Sequence, residues 1–199
     1  MPSLNALEKQ QIRKAIRQKR RALSPQEKRL AAKNLLKNLR HSTHFQHSQH
    51  IAIYLTNAGE IDTGYLIEDL RKRGKTLYLP VLHPLRKGHL SFVRWSASTP
   101  MRTNRFGIAE PEFLPEQTIP ARFLQLICMP LVAFDEQGHR LGMGGGFYDR
   151  TLAFMVEAKQ RPQLIGLAYE CQKIADLPLE PWDVPLTAIA TERKLYQFD

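Results

Sequence analysis

Apolar residues at Leu4, Leu7, Ile12, Ile16 and Leu23 recur at helical spacing and leave a broad polar face between them. On that face Lys9, Arg13, Arg17 and Arg20 follow one another at intervals of three and four, which lines them along one side of a helix over 4–22. Ser24-Pro25-Gln26-Glu27 then joins a serine cap, a proline suited to the first helical position and a glutamate that closes a capping box. It predicts a second helix from Pro25 to about Arg40.

Beyond this point the apolar runs shorten. Ile51 to Leu55 reads as a strand, Thr63 to Arg73 as a helix stopped by Gly74, and Thr76 to Leu79 as a strand ending at Pro80. Strand, helix and strand at this spacing form a βαβ unit with parallel pairing. Leu90 to Trp95 alternates like an antiparallel strand, and 102–121 has no regular period and contains Pro111, Pro115 and Pro120. Leu124 to Met129 is the most continuously apolar run and is expected at the centre of the sheet. A helix over Tyr148 to Lys159, a strand over Gln163 to Ala168 and a short last strand over Ala188 to Thr191 complete an α/β chain. With no internal repeat or low-complexity linker, 1–199 is expected to form one domain, its basic helical segment 4–40 packed on a mostly parallel sheet.

Composition narrows the class. At 43% hydrophobic and 24% charged residues, the chain is unlike disordered and fibrous proteins. Its longest apolar stretch, 124–134, is about half the length needed to span a bilayer and contains a glutamine and a proline. The N-terminus lacks the apolar core of a secretory signal, and Cys128 and Cys171 lie in or beside apolar segments, as reduced thiols do; a cytoplasmic location is expected. Seven scattered histidines offer no zinc-like spacing. A net charge of +10 calls for a polyanionic partner, whether nucleic acid, nucleotide phosphates or a polycarboxylate, or else for a tolerant surface.

The chemistry gathers in RLGMGGGFYDR, 140–150, where four glycines fill five positions just before a helix start. Such a loop can be a tight turn, a hinge or a phosphate cradle. Its place after the central strand favours the cradle, because a helix start offers unpaired N–H groups and glycine lets backbone approach an anion. It matches neither a Walker loop nor the dinucleotide fingerprint. Arg140 could pair with phosphate in a fork, and Asp149, in the helix's first turn, could hold magnesium.

Taken with KQQIRKAIRQKRRALS, IAIYLTNAGEIDT, RFGIAEP, ICMPLVAFDEQGHRLGMGGGFYDR, IGLAYECQ, LPLEPWDVPL and IATE in that order, the chain resembles the 5-formyltetrahydrofolate cyclo-ligase family, also called 5,10-methenyltetrahydrofolate synthetase. The resemblance implies a three-layer α/β/α sandwich similar to the ribose-phosphate isomerase and CoA-transferase group, preceded by two helices. It implies an enzyme that uses ATP, with magnesium, to convert 5-formyltetrahydrofolate to 5,10-methenyltetrahydrofolate, releasing ADP and phosphate. No membrane or nucleic-acid partner is implied, and the folate can be polyglutamated. A basic nucleic-acid-binding α/β protein is the alternative, although no aromatic residues interleave with the basic helix. With no coiled-coil seam in view, a monomer or weak homo-oligomer is expected.

By position, the resemblance implies ATP contacts at Lys9, Arg13, Arg140, Leu141, Gly142, Met143, Gly144, Gly145, Gly146, Phe147 and Tyr148. It implies folate contacts at Leu55, Glu60, Met143, Gly144, Gly145, Gly146 and Phe147, with Glu60 holding the pterin's amide and amino nitrogens. Arg140 and Tyr148 are the implied catalytic residues, and Asp149 and Asp183 the metal ligands. Two departures stand out. Thr187 occupies a position that is often acidic in relatives, and Phe147 one that is often tyrosine. Arg17 and Arg20 are read as general attraction for phosphate or polyglutamate.

Overall fold

A computed structural model describes residues 4–198. Its first elements are α1 (Leu4–Ala22), α2 (Pro25–Leu39), α3 (Thr43–His47), β1 (His50–Ala52), α4 (Gly64–Lys72) and β2 (Thr76–Leu82). The capping box forms as read: Ser24 Oγ accepts from Glu27 N–H at 3.2 Å, and Glu27 Oε2 accepts from Ser24 N–H at 2.7 Å. The side chain of Leu4, expected on the apolar face of α1, falls outside the described set.

Next come β3 (Leu90–Trp95), β4 (Met101–Thr103), β5 (Ala109–Pro111), β6 (Thr118–Ile119), β7 (Leu126–Pro130), β8 (Ala133–Phe134) and β9 (Arg140–Leu141). The chain closes with α5 (Phe147–Leu152), β10 (Gln163–Leu167), β11 (Ala188–Ala190) and β12 (Leu195–Gln197). Eight strands make the main sheet in the order β12-β11-β10-β7-β1-β2-β3-β6. From β11 to β2 the pairing is parallel, and the flanking strands are antiparallel.

Period-two alternation splits the strands between two cores. Ile51, Leu77, Leu126, Cys128, Ile165 and Ala188 face α2 and α4, while Ala52, Tyr78, Ile127, Met129, Leu164 and Ile189 face Leu152 of α5 and Val184 and Leu186. Helix, sheet and helix thus make three layers. The sheet grows one way through β1-α4-β2 and the other through β7-α5-β10, so right-handed crossovers put α4 and α5 on opposite faces. The strand order reverses between β1 and β7, and the loops leaving their carboxyl ends part there, which is where open α/β sheets bind ligands.

Several expectations change. The strand over 76–79 continues through Pro80 to Leu82. Thr76 and Tyr78 direct their backbone toward β1, and Pro80 shares their parity, but β1 pairing stops at Tyr78, so no ladder bond is lost at the proline. The region 102–121 is not irregular: β4 and β5 pair, and β6 joins the main sheet. The helix expected to Lys159 ends at Leu152 and tightens into a 3₁₀ turn over Ala153–Val156. Of the segment 4–40, α2 lies on the sheet, whereas Ile16 of α1 packs on Val132, Ala133, Leu141 and Leu177 beyond the strand ends. Among the described residues no helix is long and apolar enough to cross a membrane.

Candidate active site

The ribbon β8–β9 stands beyond the end of β7 because Asp135 organises its turn. That carboxylate is buried and accepts from Gln137 N–H and His139 N–H at 3.0 Å each, with His139 Nδ1 at 2.9 Å. The ribbon delivers Arg140 and then the glycine loop. Gly146 adopts φ +60° and precedes α5, a conformation that favours glycine. The side chain of Leu141 is buried beneath α1 and its carbonyl accepts from Val132 N–H at 2.7 Å, which leaves it no side-chain role toward a ligand.

Helix α1 closes one side of the loop. Arg13 Nε donates to Gly142 O at 2.9 Å, and the nearest Arg13 atoms would lie 3.5 Å from a Cβ on Gly144. Lys9 Nζ sits 3.3 Å from Glu180 Oε1 and 3.8 Å from Asp183 Oδ2. Asp183 Oδ2 in turn accepts from Glu180 N–H at 2.9 Å. Lys9, Arg13 and the glycine loop therefore do meet, as do Lys9 and Asp183.

Arg140 and Asp149 pair with each other. Arg140 Nη2 donates to Asp149 Oδ1 at 2.6 Å, Val184 N–H approaches the same oxygen at 3.4 Å, and Arg140 Nε is buried without an acceptor. On the far side of the loop Phe147 meets Phe106 edge-on at 5.8 Å, and Arg150 donates to Gly145 O and to Gly88 O. Thr187 is committed elsewhere: its hydroxyl accepts from Leu164 N–H at 3.1 Å in β10.

The β1 loop supplies the opposite wall. Asn57 to Glu60 forms a tight turn in which Glu60 N–H donates to Asn57 O and Asn57 N–H donates to Glu60 Oε2, each at 3.0 Å. Burial raises the Glu60 carboxyl to about 7, against the opposing pull of that N–H and of Arg20. Tyr148 lies close enough for the Glu60 charge to act on it; burial first, then Glu60, raises its hydroxyl pKa, so it stays protonated. Leu55 is half-buried and packs against the core beside Tyr54. Met143, Gly144 and Gly145 are exposed, facing solvent at the loop tip.

Arg20, expected on the basic face of α1 as a general attraction for phosphate or polyglutamate, is instead buried. It is 2% exposed, directly above the equally buried Ile16 one turn earlier. That i, i+4 relation to an apolar anchor was the signal available in the sequence. Glu110, also missed, is 2% exposed and accepts from Arg102 Nη2 at 3.0 Å, Asn104 Nδ2 at 3.0 Å and Leu82 N–H at 3.1 Å, fixing the hairpin that carries Phe106.

A model of the 5-formyltetrahydrofolate cyclo-ligase family matches residues 5–192. The 5-formyltetrahydrofolate cyclo-ligase of Haemophilus influenzae is 43% identical over 92% of this chain and 97% of its own. The Escherichia coli K12 enzyme of the same name is 40% identical over 92% of this chain and 100% of its own. Among solved structures, the 5,10-methenyltetrahydrofolate synthetase of Aquifex aeolicus superposes with a TM-score of 0.78 at 31% identity, covering 95% of this chain and 92% of that one. A match of this extent makes the chain an enzyme of the 5-formyltetrahydrofolate cyclo-ligase family.

Proposed function

We propose that this enzyme converts 5-formyltetrahydrofolate to 5,10-methenyltetrahydrofolate at the expense of ATP, with magnesium, as a cytoplasmic protein. The observation that carries the reading is the meeting of two unlike half-sites at Tyr148. One is a bare glycine backbone flanked by Arg13 and Lys9, suited to a polyphosphate; the other is the half-buried carboxylate of Glu60, suited to the paired N–H groups of a pterin.

Phosphoryl transfer supplies the leaving group. The γ-phosphoryl group passes from ATP to the formyl oxygen, giving ADP and an iminium phosphate at N5. N10 then attacks the formyl carbon and gives up its proton to water, and departure of phosphate leaves the methenyl bridge. The protein's part is positioning and charge complementarity. Glu60 holds the pterin, Lys9 and Arg13 hold the polyphosphate, and the protonated Tyr148 hydroxyl donates toward the formyl region.

The donors also suit magnesium, which takes a few carboxylates and completes its shell with phosphate oxygens and water. Asp149 Oδ2 and Asp183 Oδ1 have no partner among the described residues, and the Val184 contact with Asp149 brings their segments together. When bound, the ion neutralises phosphate charge.

Incubation of purified protein with 5-formyltetrahydrofolate, ATP and magnesium tests the proposal. Methenyltetrahydrofolate absorbance should grow with one ADP per product and stop on chelation. No product under these conditions overturns it, and tight nucleic-acid binding at physiological salt in its place would favour the alternative source of the +10 charge.

A further inference from the structure

Arg20 is a buried cation with donors to spare. Its Nη2 donates to Ala58 O at 3.1 Å, while Nε and Nη1 are shielded from solvent and have no acceptor. Buried donors are almost always paired in native proteins, because the hydration they lose is otherwise not recovered. The residue lines a cleft of about 400 Å³ together with Arg17, Ala58, Gly59 and Met143. Glu60 sits two residues beyond the Ala58 carbonyl that anchors the guanidinium and is the strongest opposite charge acting on it, yet the two close no ion pair. A guanidinium and a carboxylate are thus held side by side by one rigid turn, each with free hydrogen-bonding capacity.

We propose that Arg20 is a substrate-binding, specificity-determining residue whose free N–H groups take the ring carbonyl oxygen of the pterin, beside the N–H groups that Glu60 accepts. The inference rests on the reading of Glu60 as the pterin's carboxylate. The pterin edge runs acceptor, donor, donor: the carbonyl oxygen, the ring N–H, the amino group. A carboxylate complements the two donors, and only a donor complements the carbonyl. An amino group in place of that oxygen would turn N–H groups toward a cation, and the adjacent ring nitrogen, no longer N–H, would offer Glu60 a lone pair unless it took up a proton. The glutamyl tail of the folate is the poorer occupant, because its carboxylates would meet Glu60, whereas Arg17, Arg21 and Lys28 offer cations elsewhere along the cleft.

The test compares 5-formyltetrahydrofolate with its 4-amino-4-deoxy analogue and with the corresponding pteroate, which lacks glutamate. Dissociation constants are measured by protein fluorescence on wild type, Arg20→Gln, Arg20→Lys and Glu60→Gln, alongside ATP affinity and thermal melting. Wild type should prefer the carbonyl compound by roughly tenfold to a hundredfold, the range of a charge-assisted hydrogen bond. Arg20→Gln should cut the preference by about tenfold, the remainder arising at Glu60, Arg20→Lys should fall between, and ATP affinity should hold, since the lost contact belongs to the pterin. Should Arg20→Gln not fold, a reduced preference in Arg20→Lys carries the same meaning. Equal weakening of both pterins, or an unchanged preference, would show that Arg20 merely clips the Ala58 turn and overturns the proposal. So would loss of the preference for folate over pteroate in place of the carbonyl preference. If Glu60→Gln leaves every affinity as in wild type, the Glu60 reading fails, and the Arg20 assignment falls with it unless its own variants still lose the carbonyl preference.

Discussion

Arg140 and Asp149 meet at 2.6 Å across the glycine loop, with the arginine side chain 4% exposed and the aspartate 17%. Each is therefore the other's partner before any ligand arrives, and the two proposed tasks, phosphate contact and metal contact, are mechanically linked. Asp149→Ala would leave a buried guanidinium with a second unpaired donor and should destabilise the protein by about 1–3 kcal/mol. Asp149→Asn keeps an amide oxygen for Nη2 and should unfold near the wild-type urea midpoint, yet lose turnover by on the order of a hundredfold because the anionic ligand is gone. Full activity in the asparagine variant would remove the carboxylate charge from the chemistry.

Glu60 makes folate capture depend on pH. Burial holds its carboxyl at about 7, so below that pH the group carries a proton that blocks acceptance from the pterin. For the folate substrate, kcat/KM should fall as pH drops through about 7, and Glu60→Gln should abolish this limb along with most of the activity. The stability effect has the opposite sense. A carboxyl whose folded pKa lies above its unfolded value stabilises most at low pH, and that contribution is lost as pH rises through the folded pKa. At pH 8 Glu60→Gln should therefore be more stable than wild type by on the order of 1–3 kcal/mol, the difference vanishing near pH 4. A melt series in which the difference stays the same from pH 4 to pH 8 would place the Glu60 pKa in the ordinary range.

Much of the scaffold was legible because it depends on local signals. The capping box at Ser24 and Glu27, the basic periodicity of α1 and the unbroken apolar run of β7 each report a structure formed within a few residues. What escaped the sequence depends on partners distant in the chain. Pro80 reads as a strand end until the register shows that β1 no longer reaches it. The pairing of β12 with β11, like the hairpin held by Glu110, involves strands too short for a visible period. At the site, charge patterning could not reveal that Arg140 faces Asp149 or that Arg20 is buried.

Gly142 separates the needs of the loop from those of its ligand. It has no positive φ, and a Cβ there would meet nothing within 4 Å, unlike Gly145, where it would come 2.7 Å from the Phe147 ring. Gly142→Ala should thus change stability by no more than about 0.5 kcal/mol. If ATP phosphates approach this backbone, the same methyl group should raise the KM for ATP by on the order of tenfold, the scale set by small misplacements of bound reactants. An alanine variant kinetically equal to wild type would move the triphosphate away from Gly142.

The hairpin β4–β5 should depend on Glu110. Its carboxylate, 2% exposed, gathers Arg102, Asn104 and Leu82 N–H, while Asn104 Oδ1 accepts from Phe106 N–H at 2.9 Å and Ile108 N–H at 3.2 Å to shape the turn. Glu110→Ala removes the hub and leaves the part-buried donors of Asn104 and Leu82 without an acceptor, a loss of about 1–3 kcal/mol. Because the contacts converge on one short ribbon, protection from hydrogen exchange should fall first in 101–111, ahead of the strands of the main sheet. Phe106 would then lose its fixed approach to Phe147, and the glycine loop one of its supports, so KM should rise for whichever substrate the loop holds more closely. Uniform exchange across the chain in this variant would mean that Glu110 stabilises the whole fold and does not specifically hold the hairpin.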